Sequence, residues 1–527
     1  MATDTLSMPS YSQVLLPTSW EQQPVSVLGL SKSGAAVARY IAKRGGSVFL
    51  SEVLPSTPAT ATLQSELAQL GVTVETGGHT QRCYSHAPWV VTSPGIPPTS
   101  PVMQQLKMSG IPVISEVELA FLESQQRPTL SNQSHLKPIP WIGITGTNGK
   151  TTTTTLVSRM LLDFGKHAPV CGNIGVPVMD LLDKAFPLNP SDTSSDPLDY
   201  LVAELSSFQL AFSPTLRPTI AAFLNLTPDH ITWHGSLESY KTAKTSFLVG
   251  DRSPDWVVLN ADDPQVASVA DQTKGQIAWF TRQPSTVENL FHHPQTALVA
   301  TAEDDGTLTL HTLDTSGHRV VLPLLSKYAL RLPGEHNVEN VLAASAMAWL
   351  AGVSPQSIAT TLASFEGVTH RIEWCGRWQR LDNITVNAYN DSKATNVSAA
   401  LAALNAFPGQ PVVLIAGGRP KEEPLETFVD ACSRQVSAVV VYGEAQQRFA
   451  QALEKGGYGG TIVTANTLAE ALETGKALVD ALPLNNTADP PSPVLLFSPA
   501  CASFDQFANF EVRGDVFKAT LEGLLSS

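Results

Sequence analysis

At 527 residues the chain exceeds what one hydrophobic core can organise, so three domains of ordinary size are the natural expectation. Hydrophobic residues make up 43% and charged residues 15%, as in a soluble globular protein, and a net charge of −14 speaks against a nucleic-acid partner, whose phosphates need a basic footprint. A phosphorylated small ligand stays open, because a local cradle can override the global field. The five cysteines (Cys83, Cys171, Cys375, Cys432 and Cys501) form no C-x-x-C pair, so neither a disulfide framework nor a zinc site is expected and a reducing compartment fits. No basic stretch leads into an apolar one at the N-terminus, and no segment reaches the length of a membrane span. The expectation is a cytoplasmic protein without a membrane or nucleic-acid partner.

In chain order, residues 1–23 read as a loose extension. A short apolar strand at 25–28 is followed by Gly29-Leu30-Ser31-Lys32-Ser33-Gly34, a helix over 35–44 and a strand over 47–50 ending at Ser51-Glu52. This is the opening βαβ unit of a dinucleotide-type fold, with an acid after the second strand. Ser31 stands where the middle glycine of the fingerprint belongs, so a nucleotide site and a plain βαβ unit both remain open. A helix over 62–70 and strands over 72–75 and 89–91 continue the alternation, and the last runs into Ser93-Pro94-Gly95. That turn is either a ligand-binding strand end or an ordinary Pro-Gly turn. Residues 111–114 close a first domain placed at 1–115, and the polar stretch 124–137 reads as a loop or linker.

A second domain, placed at 116–368, is organised around Gly143-Ile144-Thr145-Gly146-Thr147-Asn148-Gly149-Lys150-Thr151-Thr152. The flank 140–142 reads as a buried strand, and 153–164 as an amphipathic helix with Leu156, Met160, Leu161 and Phe164 on one side. Glycines let backbone N–H groups converge on phosphate, and the helix N-terminus adds a favourable dipole. Lys150 would neutralise the outer phosphates and Thr151 would ligate Mg²⁺. The loop departs from G-x-x-x-x-G-K-[ST], because Ile144 occupies the first glycine position.

Downstream, Asn173 lies in a tight polar turn, and 188–197 reads as a surface insertion. The strand 199–203 delivers Glu204-Leu205-Ser206, where a Mg²⁺-handling carboxylate belongs, unless Glu204 is simply solvated. The strand 219–224 leads to Asp229-His230; His230 is a metal ligand or a satisfied polar residue. A helix over 236–247 carries Lys241 and Lys244, ordinarily a solvated face. Asn337 and Asn340 share one face of the helix that runs to 350, as a polar cap or as ligand contacts.

From 369 the texture changes to a third α/β domain, placed at 369–527. Its loaded segments are His370-Arg371, Asn390-Asp391-Ser392-Lys393-Ala394-Thr395, Gly417-Gly418-Arg419-Pro420-Lys421, and Ser498-Pro499-Ala500-Cys501-Ala502-Ser503-Phe504.

The motifs TGTNGKTT, ELSSFQL, Asp229-His230, GEHNVEN, HRIE, NDSKATN and SPACASFDQF, in this order, resemble the Mur ligase family, most of all its D-glutamate-adding branch. The resemblance implies an N-terminal Rossmann-like domain, a central P-loop ATPase-type mixed sheet and a C-terminal Rossmann-like domain. It further implies an ADP-forming ligase of cytoplasmic peptidoglycan precursor synthesis that phosphorylates the carboxylate of UDP-N-acetylmuramoyl-L-alanine and lets D-glutamate attack the acyl phosphate. ATP and two Mg²⁺ ions are the implied cofactors, and the chain is expected to be a monomer.

Residue by residue, the resemblance places ATP on Gly146, Thr147, Asn148, Gly149, Lys150, Thr151, Thr152, Asn337, Arg371 and Asp391. Thr151 and Glu204 would serve one Mg²⁺, His230 and Lys244 the second, with Lys244 carbamylated as in family members; Lys150, Glu204, His230 and Lys244 form the catalytic group. Ser33, Glu52, Ser93, Pro94, Gly95, Asn173 and Ser206 would contact the UDP substrate. Lys393, Thr395, Lys421, Ser503 and Phe504 would hold D-glutamate. Arg419, in a turn where a small or acidic residue is usual, and Trp233, where arginine is common, depart from the pattern. The alternatives are another Mur ligase or a folylpolyglutamate synthetase; the latter normally lacks a domain ahead of the phosphate loop.

Overall fold

The computed structural model describes residues 15–130, 137–187, 197–420, 423–483 and 491–526. Three sheets organise them. The first contains β1 (Pro24–Leu28), β2 (Ser47–Glu52), β3 (Thr73–Thr76), β4 (Val90–Thr92) and β5 (Val113–Ser115) in the order β3-β2-β1-β4-β5, every pair parallel. Strand order reverses between β1 and β4, and such a switch point opens a crevice at the carboxyl ends.

The second sheet is nine-stranded, in the order β14-β13-β12-β11-β10-β9-β6-β8-β7. It comprises β6 (Trp141–Thr145), β7 (Val170–Gly172), β8 (Leu201–Glu204), β9 (Ile220–Phe223), β10 (Trp256–Asn260), β11 (Gln276–Thr281), β12 (Thr296–Ala302), β13 (Thr307–Leu313) and β14 (Arg319–Ser326). Its β7–β12 portion is parallel, and β13 and β14 join antiparallel. Strands β6, β8 and β9 are buried throughout, as continuous apolar runs covered on both faces should be.

The third sheet has the order β15-β16-β20-β17-β18-β19, from β15 (Glu373–Gln379), β16 (Thr385–Asn390), β17 (Val412–Gly417), β18 (Val436–Tyr442), β19 (Thr461–Ala465) and β20 (Val494–Phe497). Only the β15 edge is antiparallel. The chain groups into two compact units, Met1–Lys327 with Glu339–Leu362, and Tyr328–Val338 with Ala363–Ser527. The first two sheets lie in the former and share one hydrophobic core running from Leu16 and Trp20 to Trp279 and Val299.

Several expectations change. Leu16 and Trp20 are buried, and the Trp20 indole donates to Glu123 at 2.7 Å, so the end of the extension is part of the core. The helix Glu116–Leu130 runs through much of the stretch read as a loop, because its Gln and Arg residues sustain a helix as readily as a linker; residues 131–136 lie outside the described residues, as do 188–196 of the expected insertion. The helix after the phosphate loop starts earlier, at Lys150, and ends at Asp163, leaving Phe164 as its C-cap, 40% exposed rather than on the buried stripe. Lys244 is not on a solvated face but buried. No helix among the described residues is long and apolar enough to cross a membrane.

Candidate active site

The phosphate loop joins the carboxyl end of β6 to the helix Lys150–Asp163. Gly149 takes the N-cap position with φ of 80°, and a Cβ there would sit 2.1 Å from Asn340 Oδ1. Glycine is therefore required twice over, for its backbone angle and for this close approach. The polypeptide after β9 clamps the loop from outside. Asn225 accepts from the Asn148 N–H at 2.8 Å and donates back to the Asn148 carbonyl at 3.2 Å, while the Thr147 hydroxyl donates to the Thr227 carbonyl at 3.1 Å. Lys150 Nζ donates to the Gly146 and Thr147 carbonyls at 2.9 and 2.8 Å, curling back over the loop.

Glu204, at the end of β8, is 2% exposed. Its Oε2 accepts from the Thr151 hydroxyl and its Oε1 from Asn173 Nδ2, both at 2.8 Å. Thr151, Asn173 and Glu204 thus form one oriented set. Lys244 is 1% exposed, and its Nζ donates to the Gly146 carbonyl at 2.7 Å. Burial, with the charge of Lys150 adding to it, lowers its pKa to about 6. That shift favours the neutral, nucleophilic amine over the ammonium.

His230 is exposed, in the left-handed region at φ of 51°, with Asp229 3.4 Å from its Nε2. It leans on Phe208 with ring centroids 4.7 Å apart, and flanks the ring of Tyr240, over which Lys244 Nζ lies 4.8 Å from the centroid. Trp233 packs on Phe208 at 4.6 Å and on His234 at 4.5 Å. His234 is buried against the Ser207 hydroxyl at 2.9 Å, and burial lowers its pKa to about 4.

The Thr151 hydroxyl and the Glu204 carboxylate are hard oxygen donors of the type Mg²⁺ selects, and this ion usually completes its shell with water and substrate phosphate. That donor set fits. Among the described residues no group of three His, Cys, Asp or Glu stands together as a ready-made metal cage.

On the first sheet, Ser93 packs against the β1 turn, donating to the Gly29 carbonyl at 3.2 Å, and pairs with Ser31 at 2.9 Å. Ser31, rather than Ser33, caps the following helix, accepting from the Gly34 N–H. Glu52 accepts from the Leu30 and Leu54 amides at 2.8 and 3.0 Å, so it ties the β1 turn to the segment after β2. Pro94 and exposed Gly95 continue the turn after β4. The Ser206 hydroxyl and Gln209 form a capping box on the short helix Ser207–Leu210.

In the second unit, Asp391 is buried at the end of β16, accepts from the Ser498 hydroxyl at 2.8 Å, and is raised to about 7 by burial. His370 at φ of 63° and Ile372 at φ of 45° bracket exposed Arg371. The Lys393 amide donates to the His370 carbonyl at 3.0 Å, and Lys393 Nζ lies 5.9 Å from the Phe510 ring. Thr395 follows in the same loop, its N–H donating to the Lys393 carbonyl at 2.9 Å. Buried Arg513, absent from the sequence reading, donates to the Ser392 carbonyl at 2.7 Å and the Cys501 carbonyl at 3.0 Å, locking the Asp391 loop to the segment bearing buried Ser503 and 61% exposed Phe504. Asn337 donates to the Pro333 carbonyl at 2.6 Å. Lys421 lies outside the described residues. Its companion Arg419 is exposed and pairs with Glu444.

Residues 23–115 match the Mur ligase MurD-like N-terminal domain, 144–348 the Mur ligase middle domain and 376–482 the Mur ligase glutamate ligase domain. The chain is 36% identical to the UDP-N-acetylmuramoylalanine--D-glutamate ligase of Acidobacterium capsulatum over 496 residues, 94% of this chain and 95% of that one. It is 35% identical to the protein of the same name from Geobacillus kaustophilus, covering 94% of this chain and 97% of the other. For the one from Latilactobacillus sakei the figures are 34% identity, 96% and 98%. Domain for domain and across nearly its whole length, the chain belongs to the Mur ligase family.

Proposed function

We propose that the chain is an ATP-dependent, ADP-forming ligase that joins D-glutamate to UDP-N-acetylmuramoyl-L-alanine. What carries the reading is a phosphate loop bearing Lys150 and Thr151, with Glu204 at the end of β8 bonded to Thr151, in a chain so similar along its length to ligases of that name. The alanine carboxylate attacks the γ-phosphorus of ATP, ADP leaves, and the amine of D-glutamate then attacks the acyl phosphate and expels phosphate. Charge accumulates on phosphoryl oxygens in the first step and on a tetrahedral carbon's oxygen in the second, so fixed positive groups and in-line positioning do most of the work.

The loop amides from Gly146 to Gly149, with Lys150, Thr151 and Thr152, take the triphosphate, and Asn337, Arg371 and Asp391 hold the rest of the nucleotide. Thr151 and Glu204 would hold one Mg²⁺; His230 and Lys244 would hold a second. Mg²⁺ bound there supplies Lewis-acid polarisation of phosphoryl oxygens. Lys244 suits that role only after modification. Its neutral amine attacks CO₂, a C–N bond forms, the departing proton goes to water, and the uncharged side chain becomes a carbamate anion with two oxygen donors. Its depressed pKa, set by burial, supplies the neutral amine this needs.

Ser33, Glu52, Ser93, Pro94 and Gly95 contact the UDP moiety and Asn173 and Ser206 the muramoyl end, while Lys393, Thr395, Lys421, Ser503 and Phe504 receive D-glutamate, whose two carboxylates call for cations and hydroxyl donors. Three domains at 1–115, 116–368 and 369–527, a cytoplasmic location and a monomeric state complete the proposal. Incubation with ATP, Mg²⁺, UDP-N-acetylmuramoyl-L-alanine and single amino acids should release phosphate only with D-glutamate. Release indifferent to D-glutamate, or faster with another amino acid, would sink it.

A further inference from the structure

Beside the first sheet's nucleotide turn, at the carboxyl ends of β2 and β3, lies a polar cluster the ligase chemistry does not use. The turn after β3 is Gly77-Gly78, with φ of 84° and 154°, and a Cβ on either glycine would meet only open space. Its amides donate to the carbonyls of Leu54 at 3.0 Å and Glu52 at 3.3 Å, which stitches His79 next to the acid that ends β2. Beneath it, the buried Ser51 hydroxyl lies 2.8 Å from Glu75 Oε1 and 2.8 Å from His79 Nδ1.

Ser51 has one proton to give. Burial pushes Glu75 up, but the Thr80 hydroxyl and amide and the Ser51 hydroxyl outweigh it and hold Glu75 below the usual carboxylate range. The charged acceptor wins the Ser51 proton over a neutral ring nitrogen. The Ser51 oxygen must then accept, so Nδ1 carries the imidazole proton and Nε2 is left as a lone-pair acceptor. Burial keeps the ring neutral against the pull of Glu52 and Glu75. Among the described residues Nε2 has no hydrogen-bond partner. Val53 and Leu54, directly after Glu52 and tied to the Gly77-Gly78 turn through the Leu54 carbonyl, are 55% and 66% exposed and form an apolar ledge.

In open parallel sheets of this kind the acid after the second strand takes a ribose hydroxyl. The base then lies farther out, toward β3. We propose that His79 is a specificity-determining residue for the uridine end of the sugar-nucleotide substrate, its Nε2 accepting the N3–H of uracil while the base rests on Val53 and Leu54. The inference rests on reading the first sheet as the UDP half-site. Cytosine presents a lone pair at N3, which a neutral Nε2 repels, so the same nitrogen that welcomes uracil rejects cytosine.

The test is calorimetric titration of the full chain with UDP, CDP and 3-methyluridine 5′-diphosphate, using the wild type, His79→Ala and His79→Phe. One hydrogen bond with a penalty for leaving it unmade predicts wild-type affinity for UDP about 10-fold above that for the other two, and a loss of about 10-fold for UDP in both variants. CDP affinity should then stay within about twofold of wild type. Variants that keep the wild-type preference for UDP overturn the role of His79 and leave the half-site reading standing. A wild type that binds no UDP overturns the half-site reading itself. Should the variants fail to fold, equal wild-type affinity for UDP and 3-methyluridine 5′-diphosphate overturns the proposal alone.

Discussion

Two strand–glycine turn–helix units, built alike, differ in the charged groups set around them. The turn after β1 has Gly29 at φ of 95°, packed on Ser93, and its helix is capped by Ser31. The turn after β6 has Gly149 at φ of 80°, packed on Asn340, and its helix begins with Lys150 and Thr151. Both offer backbone N–H groups and a helix N-terminus, enough to hold a phosphate. Both helices open on a lysine, Lys32 and Lys150, but only the second turns its lysine back onto the loop carbonyls and adds a hydroxyl–carboxylate pair at 2.8 Å and a buried amine. Holding a diphosphate through a reaction needs shape and neutral donors. Moving a phosphoryl group needs charge that waits in place.

The comparison breaks most sharply at Lys150. Lys150→Ala should lower kcat/KM by about 10³-fold, the scale of losing a preorganised charge, while UDP binding by calorimetry stays unchanged. Equal loss at both sites would mean that the two turns are one functional unit. Glu204→Gln should cost about 10- to 100-fold and raise the Mg²⁺ concentration needed for half-maximal activity, since a carboxylate that orients or holds the ion is gone. An unmoved Mg²⁺ titration would remove Glu204 from the metal.

Lys244 sharpens the contrast through pH. Its folded pKa, about 6, lies below the 10.5 of an exposed lysine, so between these values the unfolded chain binds the extra proton. Stability of the unmodified protein should therefore rise with pH across that window, by at most about 1.4 kcal/mol per pH unit, and fall away as pH drops toward 6. Lys244→Met should flatten that slope in CO₂-free denaturant titrations. In ¹³C-bicarbonate the wild type should show a carbamate carbonyl resonance that the variant lacks; its absence from the wild type would discredit the modification.

Gly149→Ala and Gly29→Ala both force a side chain into left-handed backbone and a close neighbour, and each should cost about 1–3 kcal/mol by chemical denaturation. If the two turns serve different ligands, the first should raise KM for ATP and the second KM for the UDP substrate. Crossed effects would merge them.

The parts legible in the sequence were those in which chemistry and local pattern coincide. Gly149-Lys150-Thr151 and Glu204 could be found because a phosphate loop must follow a strand and a carboxylate must end one. Strands β10 to β14 carry no motif, and the antiparallel β13–β14 addition follows from edge pairing that no local signal announces. Helical spacing puts Lys244 on a solvated face because it says nothing of what packs there, and the residue is buried. Ser206 sits in Ser-Ser-Phe-Gln, which is also a capping box, and the pattern alone does not announce that local bond. Arg513 and His79 were illegible for a common reason, since each acts through partners remote in the chain.

The smallest effect is expected at a third glycine turn, after β17. Gly417 and Gly418 have φ of 137° and 124°, and backbone atoms of Tyr442 and Ala502 would block any Cβ there. Arg419, which follows them, breaks the family pattern and could be taken for a substrate cation. Its guanidinium instead meets Glu444 in a two-pronged pair, Nε to Oε2 and Nη2 to Oε1 both at 3.0 Å, and each side chain is about half exposed. A solvated pair is screened and costs entropy to hold, so it adds little to stability. Arg419→Ala should therefore leave the melting temperature and KM for D-glutamate within error of wild type. A rise of about 10-fold in that KM would make Arg419 a ligand of the second carboxylate, and the Glu444 pair the resting place it leaves when substrate arrives.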